Sequence, residues 1–313
     1  MGATSRSPAE GGVRVSAVSK HFGAVHAVRG VDLDIAAGEL FGLIGHNGAG
    51  KTTLMRMLLG LISPDAGELV VAGCSTRSTR FRDARRRIGY LPENVALYDN
   101  LDARETLRFF GQLKRADDNP DEILARVGLL HAAHRPVREY SKGMRQRLGF
   151  AQALLGRPAI LFLDEPTSGL DPEGIAEFYD TLAGLRADGV TMVLCSHILA
   201  EIEQRVDRLA IMAAGRVQAC GSVQALREAV DMPMRCRLAV AAAQRSQLSR
   251  ALQALPGLRM HERDDGFDVE LPRSLKMSLV ALVAAQGDTV IDMNFHETPL
   301  EQLFFHYAER AHA

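Results

Sequence analysis

The sequence predicts an α/β fold in two parts. The larger part has a buried parallel sheet, an antiparallel β-part and a helical insert, and a small ferredoxin-like α+β domain follows it. Three observations carry this. Gly45-His46-Asn47-Gly48-Ala49-Gly50-Lys51-Thr52-Thr53 spells G-x-x-x-x-G-K-[ST] in full. Residues 159–163 and 191–195 are continuously apolar, as strands covered on both faces of a parallel sheet must be. From residue 234 the pattern runs β-α-β-β-α-β.

Taken in order, residues 1–12 read as a disordered start and residues 13–230 as one nucleotide-binding domain. Within it, residues 13–20 and 28–35 alternate as antiparallel strands. Residues 39–44 form the buried strand feeding the Gly-rich loop, and residues 53–61 the helix leaving it. A second antiparallel pair is expected at 66–73 and 88–92. Apolar residues at helical spacing in 104–113, 120–127 and 143–155 mark a helical insert over about 94–157. Strands return at 159–163 and 191–195 around a helix at 172–187, and strands at 208–212 and 216–221 close the domain. Residues 234–313 make the second domain, ending in a helix at 299–310 and read as a dimerisation or regulatory module.

Composition narrows the function. A chain of 313 residues suits about two domains. A net charge of −1 argues against a nucleic-acid partner, and the arginines at 77–87 read as a solvated helix face. Cys74, Cys195, Cys220 and Cys236 lack metal or disulfide spacing, and Cys195 falls inside an expected buried strand. No segment approaches the ~18 consecutive apolar residues of a membrane span, and residues 1–12 lack the apolar core of a signal peptide. A membrane role would therefore run through a partner.

The chemistry lies at strand ends. Gly45, Gly48 and Gly50 allow backbone N–H groups to converge on a phosphate, aided by the helix N-terminus. Lys51 reaches the β- and γ-phosphates, and Thr52 is placed to bind Mg²⁺. Asp164 ends a strand where it can hold the Mg²⁺ shell, and Glu165 can polarise the attacking water. His197, after the strand ending at Cys195, can bond the γ-phosphate or that water. His and Met residues such as His261, His296, His306, Met232, Met234 and Met260 lack persuasive ligand spacing for a metal.

Further motifs carry a resemblance. Tyr140-Ser141-Lys142-Gly143-Met144-Arg145-Gln146-Arg147 is similar to the signature loop of ABC transporter ATP-binding subunits, and Ser168-Gly169-Leu170-Asp171 to their D-loop. Cys195-Ser196-His197 resembles their switch histidine and Phe22 their adenine-stacking aromatic, so the resemblance covers residues 13–221. It implies a P-loop NTPase domain of the ABC type, with ATP and Mg²⁺ as ligands. It also implies a head-to-tail homodimer in which Ser141 and Gly143 of one copy close over the γ-phosphate held by the other. The signature departs from the usual Leu-Ser-Gly-Gly-Gln at Lys142 and Met144. Glu93 stands where the family has its Q-loop glutamine, and is expected to approach Mg²⁺ alongside Thr52 and Asp164.

The signature resembles that of ABC-2 type exporters. His46, residues 89–95, residues 104–109 and tail segments 299–303 and 307–310 are similar to the ATPases of nitrous oxide reductase maturation systems. That resemblance implies a polytopic membrane permease and, through it, a periplasmic copper-site assembly protein, with copper or sulfur supply as the task. It places the chain on the cytoplasmic face of the inner membrane. The alternatives are an exporter of a drug, lipid or polysaccharide, and a soluble ABC ATPase of DNA repair.

Overall fold

The computed structural model describes residues 11–230 and 232–309. Most of the expected disordered start, residues 1–10, lies outside the described residues, as does Arg310 at the end of the expected last helix. Gly11 and Gly12 are buried, and their carbonyls accept from the Thr191 hydroxyl and the Ala72 N–H. The chain divides into two compact units, residues 11–221 with 307–309, and residues 222–306.

The first unit opens with the hairpin β1 (Val13–Phe22) and β2 (Val25–Ile35), followed by β3 (Leu40–Gly45) and α1 (Lys51–Leu58). Next come β4 (Ala66–Val71), β5 (Cys74–Ser75), the single turn α2 (Phe81–Ala84) and β6 (Ile88–Leu91). The insert holds α3 (Ala103–Lys114), α4 (Pro120–Arg126) and α5 (Lys142–Leu154). The chain then returns through β7 (Ile160–Asp164), α6 (Pro172–Ala187), β8 (Thr191–Cys195), α7 (Leu199–Glu203), β9 (Arg208–Ala213) and β10 (Arg216–Gly221).

Local chemistry sets the helix starts. Asp102 and Glu105 form a reciprocal capping box for α3. Asn119 and Asp171 cap α4 and α6, each followed by a proline at the first helical position. Every residue of β3, β7 and β8 is buried, as their unbroken apolar runs require. These strands lie side by side in a six-stranded sheet of order β10-β9-β3-β8-β7-β6, all parallel except the β10 edge.

The structure differs from expectation at β6 and at the arginine cluster. β6 is not the antiparallel partner of β4: it pairs parallel with β7, Ile88 opposite Ile160, and β5 takes the place beside β4. Ile88 and Leu91 are buried, and Gly89 lets the strand come against α5, since a Cβ there would sit 2.2 Å from the Ala153 carbonyl. The antiparallel sheet is therefore β2-β1-β4-β5. Its inward valines, Val13, Val15 and Val18, share one apolar cluster with Leu54 and Met57 of α1 and with Phe41 and Phe162 of the parallel sheet. The arginine cluster is also not one helix face. α2 ends after a turn and residues 85–87 form a 3-10 turn, while Phe81 is buried beneath Gly60.

The second unit contains α8 (Val223–Val230), β11 (Met234–Val240), α9 (Arg245–Gln253), β12 (Arg259–Arg263), β13 (Gly266–Leu271), α10 (Lys276–Ala285) and β14 (Val290–His296). α11 (Leu300–Glu309) follows in sequence, with residues 300–306 in this unit. Its antiparallel sheet runs β12-β13-β11-β14, the ferredoxin-like order. Alternate residues of β11, Met234, Cys236, Leu238 and Val240, point into a core with Leu248, Leu252 and Leu279 from α9 and α10.

Candidate nucleotide site

Four parallel strands end side by side in the order β3, β8, β7, β6, and the candidate residues follow those ends. This is the carboxyl edge of an open α/β sheet, where ligands collect. From β3 the chain enters the loop His46, Asn47, Gly48, Ala49, Gly50 and turns into α1 at Lys51. The glycines at its entry and exit, Gly45 and Gly50, have separate reasons. A Cβ on Gly45 would stand 2.6 Å from the Met212 carbonyl, so the loop can leave β3 there only without a side chain. Gly50 takes φ +104 and passes the Ala27 carbonyl, which a Cβ would approach to 2.4 Å. The loop is thus seated against β2 and β9.

The Lys51 ammonium folds back to donate to the carbonyls of Gly45 (2.5 Å) and His46 (3.2 Å). Those bonds hold a largely buried cation over the loop. Thr52 is exposed on the first turn of α1, with Thr53 partly covered behind it.

The ends of β7 and β8 meet directly. Asp164 pairs with Cys195 in register, and the Glu165 N–H donates to the Cys195 carbonyl at 2.9 Å. Glu165 itself adopts φ +48, a left-handed conformation costly for a non-glycine residue. That turn aims its carboxylate at His197, whose Nδ1 lies 2.7 Å from Glu165 Oε2. With the carboxylate ionised, Nδ1–H is the donor, which leaves Nε2 of the exposed ring facing outward. Ser196 is buried, and its hydroxyl accepts from the Ile198 N–H, bracing the turn that presents His197.

Burial, followed by the nearby charges of Glu165 and Glu93, pushes the Asp164 carboxyl up to about 6, with Lys51 and Arg56 pulling the other way. Three carboxylates thus share one strand edge, with Lys51 and Arg56 as the cations that act on Asp164. The oxygen donors of Thr52 and Asp164 suit a hard ion such as Mg²⁺. Glu93 is exposed two residues beyond β6, close enough to bear on Asp164 electrostatically. Tyr90, on β6, is drawn into the same field: burial first, then Asp164, raises its phenol above the ordinary range. The sequence carried no signal for that residue beyond its strand.

Phe22 lies at the far end of β1, opposite Val25, with 52% of its surface exposed. The Lys20 ammonium stands 5.4 Å from its ring centroid and is itself tied to Asp65 at 2.8 Å. The remaining sequence-derived residues face a different loop. Ser141 caps α5, its hydroxyl accepting from the Met144 N–H at 3.2 Å, and Gly143 packs against the Gly169 carbonyl. Asp171 uses its carboxylate to accept from the Gly174 N–H at 2.9 Å, capping α6. Gln146 was not singled out from sequence, yet it is buried and donates to the Pro166 carbonyl at 3.0 Å.

The chain matches the family model described as ABC transporter over residues 28–168. The daunorubicin resistance ATP-binding protein DrrA3 of Streptomyces coeruleorubidus is 35% identical over 307 residues, spanning 95% of this chain and 96% of that protein. The linearmycin resistance ATP-binding protein LnrL of Bacillus subtilis (strain 168) is 30% identical over 302 residues, spanning 94% and 97%. Among solved structures, a dimeric ATP-binding cassette in a post-hydrolysis state, bound to ADP and Pi, superposes with a TM-score of 0.62 at 25% identity. That match covers 67% of this chain and 98% of the other.

Proposed function

Because this chain belongs to the family of ABC transporter ATP-binding proteins, we propose that two copies hydrolyse ATP head to tail and drive a membrane permease that exports an antibiotic-like cargo. The observation that supports the hydrolytic step is the meeting of Glu165 and His197 beside Asp164 at the level of the phosphate loop. Glu165 accepts hydrogen bonding from the attacking water, and His197 Nε2 is left to orient that water or the γ-phosphate. Lys51 leaves its carbonyl partners for the phosphates and places positive charge where negative charge develops. Thr52 and Asp164, joined by Glu93, would hold Mg²⁺, which supplies charge neutralisation across the phosphates. Ser141 and Gly143, at the start of α5, complete the partner's site as an anion-binding helix end.

The permease needs an apolar landing surface, and the insert offers one. Tyr98 and Phe109 are exposed with ring centroids 5.4 Å apart, and Leu113 is 68% exposed on the same helix as Phe109. The cargo reading leans on DrrA3 and LnrL, which match this chain along nearly its whole length and are named for resistance to antibiotics. No described helix is long and apolar enough to cross a membrane, so association with the cytoplasmic face of the membrane would come through that permease.

The second reading, ATP supply to copper-site assembly for nitrous oxide reductase, rests on His46, residues 89–95 and the tail segments. It adds a periplasmic assembly protein behind the permease. Gene deletion separates the two. Increased sensitivity to daunorubicin or linearmycin, with normal copper-centre spectra of nitrous oxide reductase, supports export. Unchanged sensitivity with a copper-deficient reductase supports maturation.

A further inference from the structure

The signature turn of this chain carries a lysine where the family's usual sequence has a glycine, and the structure gives that lysine a partner. The Lys142 ammonium donates to the Ser168 hydroxyl at 3.1 Å. Its stem lies along Gly169, which sits at φ +83. A Cβ there would stand 2.7 Å from Lys142 Cδ and 2.8 Å from Cγ. One residue on, a Cβ at Gly143 would come within 3.0 Å of the Gly169 carbonyl. One turn further, buried Gln146 donates to the Pro166 carbonyl at 3.0 Å. The first half of α5 is therefore fastened along residues 166–169. That loop starts at Glu165, and the Ser168 N–H donates back to the Glu165 carbonyl at 3.2 Å.

We propose that Lys142 is a positioning residue, whose bond to Ser168 ties the anion-binding turn of α5 to the loop that presents Glu165 in the same chain. The inference rests on the hydrolytic reading above. Ser141 and Gly143 serve the γ-phosphate of the partner's site, while Glu165 serves its own. A bond between the two segments makes each chain's contributions to both sites move as one body. Glycine cannot supply this link, because it has neither the stem nor the donor. The ammonium acts through the loop and does not touch the nucleotide, so its loss should slow turnover without weakening ATP binding.

Steady-state ATPase assays on the full chain test this with Lys142→Met, which keeps the stem and removes the donor, Lys142→Arg, Ser168→Ala and the Lys142→Met/Ser168→Ala double variant. Each of Lys142→Met and Ser168→Ala should lower kcat about 3- to 10-fold, the worth of one hydrogen bond, with KM for ATP held within about twofold. The double variant should be no slower than the slower single, and Lys142→Arg should keep most of the rate. Wild-type kcat in Lys142→Met, multiplicative losses in the double variant, or a raised KM with kcat kept would each overturn the proposal. The last would place the ammonium on the nucleotide. Failure of the hydrolytic reading shows separately, as a wild type without turnover or a Glu165→Gln variant with it.

Discussion

At the scale of single residues, the site is a set of charges whose environments differ. Glu165 and Asp164 are adjacent carboxylates in separate environments: Glu165 is turned out by its left-handed backbone toward His197, while Asp164 is held in the buried strand end. On the mechanism proposed above, Glu165→Gln keeps the shape and loses the water-polarising charge, so kcat should fall at least ~100-fold while ATP binding persists. Asp164 leads to a pH effect. Its folded value, about 6, lies above the ordinary carboxylate value, so its stabilising share is complete below the unfolded value and lost as pH rises through about 6. In nucleotide-free, Mg²⁺-free protein, the stability of Asp164→Asn relative to wild type should therefore rise between pH 5 and pH 7. Paired urea melts at the two values measure that difference, and a constant difference would contradict it. If Phe22 stacks on adenine, Phe22→Ala should weaken ATP binding by about 1–3 kcal/mol, read by calorimetry. Unchanged affinity in the folded variant would assign its exposed ring to another task.

At the scale of elements, the phosphate loop, β7 with Asp164 and Glu165, and the ends of β8 were legible because each is spelled by contiguous residues with strong local chemistry. The partner of β6 was not. A short apolar run such as Ile88–Leu91 suits either sheet, and what decides is its contact with α5, whose residues lie about 60 positions away. That contact is tight. A Cβ on Gly89 would fall 2.2 Å from the Ala153 carbonyl and 2.4 Å from Leu161, and one on Gly149 would fall 2.7 Å from both methyls of Val95. Gly89→Ala should therefore cost about 1–3 kcal/mol by overpacking and displace α5 from the residue 93–95 loop. Denaturant melts give the first, and an ATPase rate reduced beyond the stability loss gives the second. Ser141 was legible as an anion donor, and the fold adds that a lone pair of the same hydroxyl accepts from the Met144 N–H as the cap of α5, a use that leaves its O–H to donate.

At the scale of the whole molecule, the head-to-tail arrangement proposed above gives each chain half of each site. Lys51, Glu165 and His197 gather at one sheet edge, whereas Ser141 caps α5 and Gly143 packs against Gly169 and Leu170. Turnover per chain should therefore rise with protein concentration, and Glu165→Gln with ATP should elute as a dimer that the nucleotide-free variant does not form. Turnover independent of concentration in a monomeric protein would overturn the two-chain site. The sequence by itself determined the phosphate loop, the acidic strand end, the signature and the ferredoxin-like order of the last domain, since motif and periodicity are local properties of the chain. Only the tertiary structure decided that β6 joins the parallel sheet, that Glu165 meets His197, that burial raises Asp164, and that Lys142 clasps Ser168. Those facts depend on which distant residues share a surface and how much water remains between them, and no stretch of sequence specifies that alone.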